Sequence, residues 1–281
     1  MQEFNEKTAR HQIACEAYGL PLRICTNSPE LLALIERMLP PGWRRRPRSS
    51  SQHRLGLLSE GNDIYSIYRQ DGLCIHDAPG RDYALVTFER LLQGLVALES
   101  PDFIFVHAGV VAHGGHAIVM PGLSFAGKTT LVRALVEAGA VYYSDEFAVL
   151  DDVGYVHPYP KPLSVRYDMS PTIDHPVERF GGVAGEDPIR IGLVALTRYR
   201  PSGEWEPREL STGAGALALL EHAVPAQARP EKTLRAITKA IEGAAILESE
   251  RGEADELAAI LLESIEAEAS DTLDSASWRL P

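Results

Sequence analysis

Cysteine is scarce in this chain, and its spacing excludes the sites that cysteines usually form. The 281 residues include three cysteines, Cys15, Cys25 and Cys74. They show no CxxC spacing and make no even set, so neither a disulfide framework nor a zinc site is expected. We expect each of them to be a small apolar residue of the core.

Long hydrophobic runs are missing as well. No stretch approaches the roughly 20 apolar residues that span a bilayer. The N-terminal MQEFNEKTAR lacks the apolar segment of a secretory signal. A membrane partner is therefore not expected, and the simplest expectation is a cytoplasmic protein.

Positive charge is outnumbered, with 27 Lys and Arg residues against 39 Asp and Glu residues and a formal net charge of -12. Because an acidic surface repels nucleic-acid backbones and anionic lipids, neither is expected as a partner. The segment WRRRPR is a local exception, with Arg44, Arg45, Arg46 and Arg48. We interpret it as a solvated loop, and an anchor for an acidic partner is the alternative.

The remaining composition is that of an ordinary globular protein, 45% hydrophobic and 23% charged. Residues 1–100 predict a small α+β unit of strands, a meander and two helices, one of them capped by Ser28. This part carries no chemical motif, so we interpret it as a scaffold, docking or oligomerisation surface. Residues 101–270 predict an α/β domain that ends with helices and a strand AAILESER, and residues 271–281 predict a loose tail.

The most informative stretch is GLSFAGKTT, in which Gly122, Gly127, Lys128 and Thr129 satisfy the phosphate-loop pattern G-x-x-x-x-G-K-[ST]. It follows the apolar strand HAIVMP and opens an apolar-periodic helix, which is the required setting. Lys128 is expected to reach the β- and γ-phosphates and the Thr129 hydroxyl to bind Mg²⁺. The alternative is a glycine-rich turn with an exposed lysine. The predicted triphosphate cradle consists of Gly122, Leu123, Ser124, Phe125, Ala126, Gly127, Lys128, Thr129 and Thr130.

Two carboxylates follow the next strand, AVYYS. A strand–helix–strand crossover leaves its strands parallel, so Asp145 and Glu146 are expected at the edge of the sheet that holds the phosphate loop. One carboxylate could hold Mg²⁺ or its water, and the other could accept a proton from an attacking hydroxyl. A solvated strand end is the alternative, and for Asp151 and Asp152, in DDVG, a hairpin turn is the better interpretation.

The segment from His107 to Leu150, HAGVVAHGGHAIVMPGLSFAGKTTLVRALVEAGAVYYSDEFAVL, resembles the catalytic core of bacterial HPr kinase/phosphorylase. The resemblance covers residues 103–152 well. It implies a P-loop core of the HPr-kinase/PEP-carboxykinase type, with Asp145 as the base for a target serine and His107 assisting it. It also implies that Glu146, where the family has an aspartate, is the carboxylate on the magnesium side.

Two differences from the family bear on the substrate. The Glu-Ile-Arg-Gly-Leu-Gly segment, which the family uses for protein contact and phosphorolysis, is missing, so HPr as the substrate and the reverse reaction both stay open. In its place HPYPKPLSVR resembles the corresponding segment of shorter HPr-kinase-like proteins, including kinases encoded beside lasso-peptide genes. Lys161 and Arg166 could direct positive charge to the phosphoryl group or to a substrate carboxylate, or they could be surface charges.

The sequence therefore predicts an ATP- and Mg²⁺-dependent kinase acting on a serine-like hydroxyl of a peptide or protein. A small-molecule kinase is one alternative, and a nucleotide-binding regulatory module or simple ATPase is another. The acceptor, the base of the donor nucleotide and the oligomeric state stay open. The kinases it resembles often assemble into rings, so a homo-oligomer is one expectation.

Overall fold

The computed structural model describes residues 9–47, 53–69, 71–122, 127–165 and 173–276, and for residues 267–276 the description is limited to the backbone. The chain divides into two compact units, Met1–Asp102 and Phe103–Pro281. Sheets and helices occur in both units, so the architecture is mixed α/β, as predicted. Among the helices of the described residues, none is both long enough and apolar enough to cross a membrane.

The first unit is built on a six-stranded sheet. In chain order its elements are β1 (His11–Ala17), β2 (Leu20–Thr26), α1 (Pro29–Arg37), β3 (Arg44–Arg45), β4 (His53–Gly61), β5 (Ile64–Tyr68), β6 (Cys74–Pro79) and α2 (Arg81–Glu99). The strands lie in the order β3-β1-β2-β4-β5-β6. Strands β2 and β4 are parallel, and the other neighbours are antiparallel.

Helix α1 begins where its capping residues predict. The Ser28 side chain accepts a hydrogen bond from the Leu31 amide at 3.2 Å, and Pro29 occupies the first turn. The cap satisfies one of the amides that the helix leaves without an internal partner. The prediction of a capped helix at this position is confirmed.

The arginine-rich segment forms a short edge strand rather than a loop. Its residues Arg44–Arg45 pair with β1, and the Arg45 side chain makes an ion pair with Glu36 while remaining 65% exposed. Arg45 is solvated, as predicted. The prediction of a loop is wrong for Arg44 and Arg45, because their backbone pairs with β1. Arg48 lies outside the described residues.

The three cysteines divide into two classes. Cys15 and Cys25 are buried in β1 and β2, which confirms the prediction of small core residues. Cys74 is half-buried on the edge strand β6, where its Sγ lies 3.4 Å from Oδ1 of Asp77. For Cys74 the core prediction is wrong, because the strand stands at the end of the sheet with one side unpaired.

The second unit is built on an eight-stranded sheet. Its elements are β7 (Ile104–His113), β8 (His116–Pro121), α3 (Lys128–Glu137), β9 (Val141–Ser144), β10 (Phe147–Leu150), β11 (Tyr155–His157), β12 (Leu163–Val165), β13 (Ile173–His175), β14 (Ile189–Tyr199), β15 (Arg208–Glu209), α4 (Thr212–Leu220), α5 (Pro230–Ala240), β16 (Ala245–Arg251) and α6 (Ala254–Ala276), with a 3₁₀ helix at Val177–Phe180. The main sheet has the order β11-β10-β7-β8-β14-β16-β15, its eighth strand, β9, pairs with β7, and β12 and β13 form a separate pair.

Two predicted turns are confirmed. His113 pairs with His116 at the end of the β7–β8 hairpin, and Gly114 and Gly115 both have positive φ, which a two-residue hairpin turn of this type requires. Between β10 and β11, Oδ1 of Asp151 accepts the amides of Val153 and Tyr155. The aspartate thus stabilises its own turn, as the DDVG interpretation predicts.

Helices cover both faces of the main sheet. Residues of β7 alternate, so Val106 and Val110 face an apolar cluster with α4 and α5, while Val111 faces a cluster with α3 and α6. The predicted strand AAILESER is β16, which runs parallel to β14. Helix α6 continues to Ala276, past residue 271, where the sequence predicts the start of a tail.

Candidate functional site

Strand β7 lies between the phosphate-loop segment and the acidic pair. On one side Ala108 pairs with Pro121, the last residue of β8, and the Gly122 amide donates to the His107 carbonyl at 3.1 Å. On the other side both β9 and β10 pair with β7, each antiparallel to it. Strands β8 and β9 are therefore parallel, as predicted, but β7 separates them.

Asp145 and Glu146 fill the break between β9 and β10. His107 of β7 pairs with Phe147 after the break, and Val110 pairs with Ser144 before it. Between them, Ala108 pairs with Pro121 at the end of β8. The break therefore lies on one side of β7 and the start of the phosphate loop on the other side, at the same level. The pair thus follows β9 at the level of the loop start, and the chain resumes pairing with β7 after two residues.

Backbone hydrogen bonds fix the shape of this break. The buried Ser144 hydroxyl accepts the amides of Glu146 at 3.0 Å and Phe147 at 2.9 Å. The Ala108 amide of β7 donates to the Glu146 carbonyl at 3.2 Å. These bonds satisfy polar backbone groups that leave the regular ladder, so the position of Asp145 and Glu146 is defined.

Helix α3 begins at the phosphate-loop lysine. Gly127 is its N-cap with φ 78°, a left-handed conformation that glycine adopts without strain, and its carbonyl accepts the Leu131 amide at 3.2 Å. Within the described residues no side chain caps this helix end, and the amino end of a helix is where its first amides can bind an anion. Thr130 is exposed in the first turn. Leu123, Ser124, Phe125 and Ala126 lie outside the described residues.

Asp145 lies beside the first turn of α3. Its Oδ2 accepts a hydrogen bond from Oγ1 of Thr129 at 3.2 Å, and its Oδ1 lies 3.2 Å from the Tyr142 hydroxyl. Burial raises the pKa of Asp145, although the hydrogen bonds from Tyr142 and Thr129 and the charge of Lys161 act in the opposite direction. The structure therefore brings together Thr129 and Asp145, two predicted site residues, around a desolvated carboxylate.

Lys128, the lysine of the motif, interacts electrostatically with Asp145 and Glu146. Burial lowers the pKa of Lys128, while Asp145 and Glu146 act to raise it. Lys128 is half-buried, so it is not the exposed lysine of the alternative interpretation. The charges of Asp145 and Glu146 therefore act on Lys128.

Lys161 reaches the acidic pair from the segment before β12. Its Nζ lies 3.4 Å from Oε2 of Glu146, and both side chains are partly exposed. The Lys161 carbonyl accepts the Tyr142 hydroxyl at 2.7 Å, which ties this segment to the site. Arg166, the second predicted cation, lies outside the described residues.

His107 lies on β7 opposite the break. Its ring packs on Phe147 with 4.7 Å between ring centroids. Burial, followed by the charges of Lys128 and His222, lowers its pKa, and a hydrogen bond with the Glu146 backbone acts against this. Within the described residues, the contacts of this imidazole are with Phe147 and the Glu146 backbone and do not include the Asp145 carboxylate.

Sequence reasoning missed three residues of this region: Tyr142, His222 and Arg251. The His222 carbonyl accepts the His107 amide at 2.9 Å, and Nη2 of Arg251 donates to the Gly127 carbonyl at 3.1 Å. Non-local pairing places Tyr142 and His222, so no local pattern reveals them. For Arg251 a signal existed, because it ends a predicted strand, and charged residues at strand ends lie near the ligand in such sheets.

The oxygen ligands that Mg²⁺ prefers are present near α3. No group of three or more His, Cys, Asp and Glu side chains is close enough to hold a metal ion within the residues that are described. Mg²⁺ commonly needs one or two protein ligands, with phosphate and water supplying the rest. Thr129 and Glu146, the two residues predicted as metal ligands, carry oxygen donors of this kind.

Comparison with known proteins adds little to this description. No protein-family model matches the chain, and no curated protein matches it. Among solved structures, it is similar to the HPr(Ser) kinase/phosphatase from Coxiella burnetii, at 14% identity and a TM-score of 0.30. The match covers 60% of this chain and 98% of that one. A TM-score this low supports no argument about fold or function.

Proposed function

We propose that this chain is a kinase that transfers the γ-phosphoryl group of ATP to a serine-like hydroxyl of a peptide or protein. The observation that carries the proposal is the 3.2 Å contact between Thr129 and Asp145 at the start of a helix that follows a phosphate-loop motif. A hydroxyl and a half-buried carboxylate at this place are the groups that a magnesium-bound triphosphate requires.

The direction of the Thr129 hydrogen bond supports a role in metal binding. A hydroxyl has one proton and two lone pairs, and here the proton is donated to Oδ2 of Asp145. The lone pairs of Thr129 are then available to Mg²⁺. When bound, the metal would supply positive charge that neutralises the phosphate oxygens.

The phosphates would lie on the amino end of α3. Gly127 takes the left-handed turn there, the amides of the first turn would supply donors, and Lys128 adds a cation. Glu146 and Lys161 form the outer, more exposed part of the site. Lys161 could move from Glu146 to the transferring phosphoryl group, and Glu146 could bind the metal or its water.

Asp145 is the proposed general base. The acceptor oxygen forms a bond to the γ-phosphorus, the bond from that phosphorus to the β–γ bridging oxygen breaks, and ADP leaves with the electron pair. The Asp145 carboxylate takes the hydroxyl proton. Burial favours this step, because it raises the pKa of Asp145 and makes the carboxylate a stronger base.

His107 is proposed to support the base indirectly. Its lowered pKa keeps the imidazole neutral near pH 7, and its ring packs on Phe147, the residue at which pairing resumes after Asp145 and Glu146. The serine-like acceptor follows from the sequence resemblance to HPr kinase/phosphorylase. A small-molecule acceptor and plain ATP hydrolysis are the outcomes against which the proposal is tested.

The test is transfer of label from γ-labelled Mg·ATP to serine-containing peptides by the purified full chain, with wild type and Asp145→Asn compared. We expect the variant to bind ATP like wild type and to transfer at least about 100-fold more slowly, the contribution of a positioned base. Label released as phosphate at the same rate without peptide would instead indicate an ATPase. Equal transfer by both proteins would contradict the role of Asp145.

A further inference from the structure

Arg251 ends a strand that points toward the phosphate loop. It is the last residue of β16, which is parallel to β14, and β14 is parallel to β8. The carboxyl ends of β8 and β16 therefore lie at the same edge of the sheet. Arg251 is 2% exposed, which is rare for an arginine.

The guanidinium is directed at the N-cap of α3. Its Nη2 donates to the Gly127 carbonyl at 3.1 Å, and its Nη1 donates to the Gly252 carbonyl at 2.9 Å. The buried Nε has no hydrogen-bond partner within the residues that the structure describes. The Tyr199 ring lies 5.1 Å from the guanidinium carbon. Both acceptors are thus neutral, and the Nε–H has no acceptor among the described residues.

This is an unfavourable place for an isolated cation. The amino end of a helix carries a partial positive charge, and Lys128 stands next to Gly127 in the chain. Burial lowers the pKa of Arg251, with Tyr199 and Glu253 acting against it. Glu253 is exposed and accepts the Tyr199 hydroxyl. An anion bound at the start of α3 would balance the excess of positive charge.

The hydrogen bond from Arg251 to the Gly127 carbonyl also sets the orientation of the Lys128 amide, the first amide of α3. The Gly127 carbonyl and the Lys128 amide belong to one planar peptide and point in opposite directions. By holding the carbonyl, Arg251 turns the Lys128 amide away from itself. A Cβ at residue 127 would lie 2.6 Å from Nη2, so the glycine also makes room for the guanidinium.

We infer that Arg251 is a positioning residue of a polyphosphate-binding site, which holds the Gly127–Lys128 peptide and supplies buried positive charge that the bound phosphates balance. This inference rests on the proposed function, because it assigns the phosphates to the amino end of α3.

The test uses the full chain with Arg251→Gln and Arg251→Lys, and with Arg200→Gln as the matched control. Arg200 is an exposed arginine that pairs with Glu250. The measurements are the calorimetric affinity for Mg·ATP and for tripolyphosphate, and the Tm without ligand. Arg251→Gln is expected to weaken both affinities about 10- to 100-fold, since a hydrogen bond from a charged donor is lost.

The unliganded Tm distinguishes positioning from plain structural support. Removing a buried charge that only neutral groups contact is expected to leave the Tm unchanged or to raise it. Arg251→Lys keeps the charge without the planar fork and is expected to lie between wild type and Arg251→Gln in affinity. Arg200→Gln is expected to match wild type in both measurements.

Three results would overturn the inference. Wild-type affinity in both Arg251 variants would refute it while leaving the proposed kinase standing. A Tm lowered by several degrees in Arg251→Gln and Arg251→Lys, with unchanged affinity of the folded protein, would make the residue purely structural. Failure of the wild-type chain to bind either ATP or tripolyphosphate would overturn both the inference and the proposed function.

Discussion

The Thr129 hydroxyl lies 3.2 Å from Oδ2 of Asp145, although sixteen residues separate them in the chain. One residue belongs to the first turn of α3, and the other stands in the break between β9 and β10. The contact exists because β7 pairs with β8 on one side and with both β9 and β10 on the other. The site therefore depends on the register of this central strand.

Thr129→Val is expected to lower phosphoryl transfer about 100-fold, which corresponds to roughly 3 kcal/mol of transition-state stabilisation. Valine keeps the shape of threonine and removes the proposed metal ligand. Thr129→Ser keeps the hydroxyl and should retain most of the activity. Rates are measured against Mg²⁺ concentration, with Thr238→Val on α5 as the control. Full activity of Thr129→Val at low Mg²⁺ would exclude the metal role.

Tyr142→Phe is expected to shift the acid side of the pH–rate profile to higher pH. Asp145 must be ionised to accept a proton, and burial raises its pKa while the Tyr142 hydrogen bond lowers it. Without the hydroxyl, burial is less opposed and the pKa of Asp145 rises further. Tyr143→Phe is the control, because that hydroxyl contacts the Asp187 carbonyl instead. A shift to lower pH in Tyr142→Phe would contradict Asp145 as the base.

Asp145→Asn is expected to stabilise the unliganded protein at neutral pH. The pKa of Asp145 is raised, so the folded state holds this proton more tightly than the unfolded state. Ionisation therefore costs folding stability as the pH rises through the raised pKa, and the cost disappears below the ordinary carboxyl pKa. Thermal unfolding of both proteins across this range should show a gain for the variant that vanishes in acid.

Asp151→Asn provides a control of opposite sign. Burial acts to raise the pKa of Asp151 but is outweighed by hydrogen bonds from Tyr155, His157 and Val153, so the pKa is lowered. This variant should lose stability at neutral pH, with the loss shrinking as acid protonates the wild-type carboxyl. If Asp145→Asn instead loses as much stability as Asp151→Asn, burial does not raise the pKa of Asp145.

Gly109→Ala is expected to destabilise the second unit by about 1–3 kcal/mol and to weaken nucleotide binding. A Cβ there would lie 2.5 Å from Cγ2 of Val132, where α3 packs on β7. Adding Val132→Ala should restore both properties in part. Gly94→Ala, in α2 with open space around it, should instead stabilise by about 0.5–1 kcal/mol. Chemical denaturation measures the stability, and ATP titration measures the affinity. An unchanged ATP affinity in Gly109→Ala would show that the contact between Gly109 and Val132 does not affect the site.

Local patterns in the sequence predict individual helices, strands and turns. Turn residues predict the β7–β8 hairpin and the Asp151 turn, and a capping serine predicts the start of α1. The phosphate-loop pattern predicts the helix that begins at Lys128. Each of these depends on residues a few positions apart, whose preferences act in any fold.

Local patterns do not predict which distant strands pair with one another. The sequence predicts strand, acidic pair and strand, but it does not reveal that β9 and β10 both continue along β7. It consequently gives no indication of Tyr142 or His222 beside the site. Arg251 ends the predicted strand AAILESER, but its position beside the start of α3 also depends on a non-local pairing, that of β16 with β14.

The most direct measurement is a structure of the full chain with Mg²⁺ and a non-hydrolysable ATP analogue. The account predicts the triphosphate at the amino end of α3, Mg²⁺ about 2.0–2.1 Å from Oγ1 of Thr129, and the Asp145 carboxylate facing the γ-phosphate. A nucleotide bound elsewhere, or an Asp145 side chain turned away from the γ-phosphate, would contradict it.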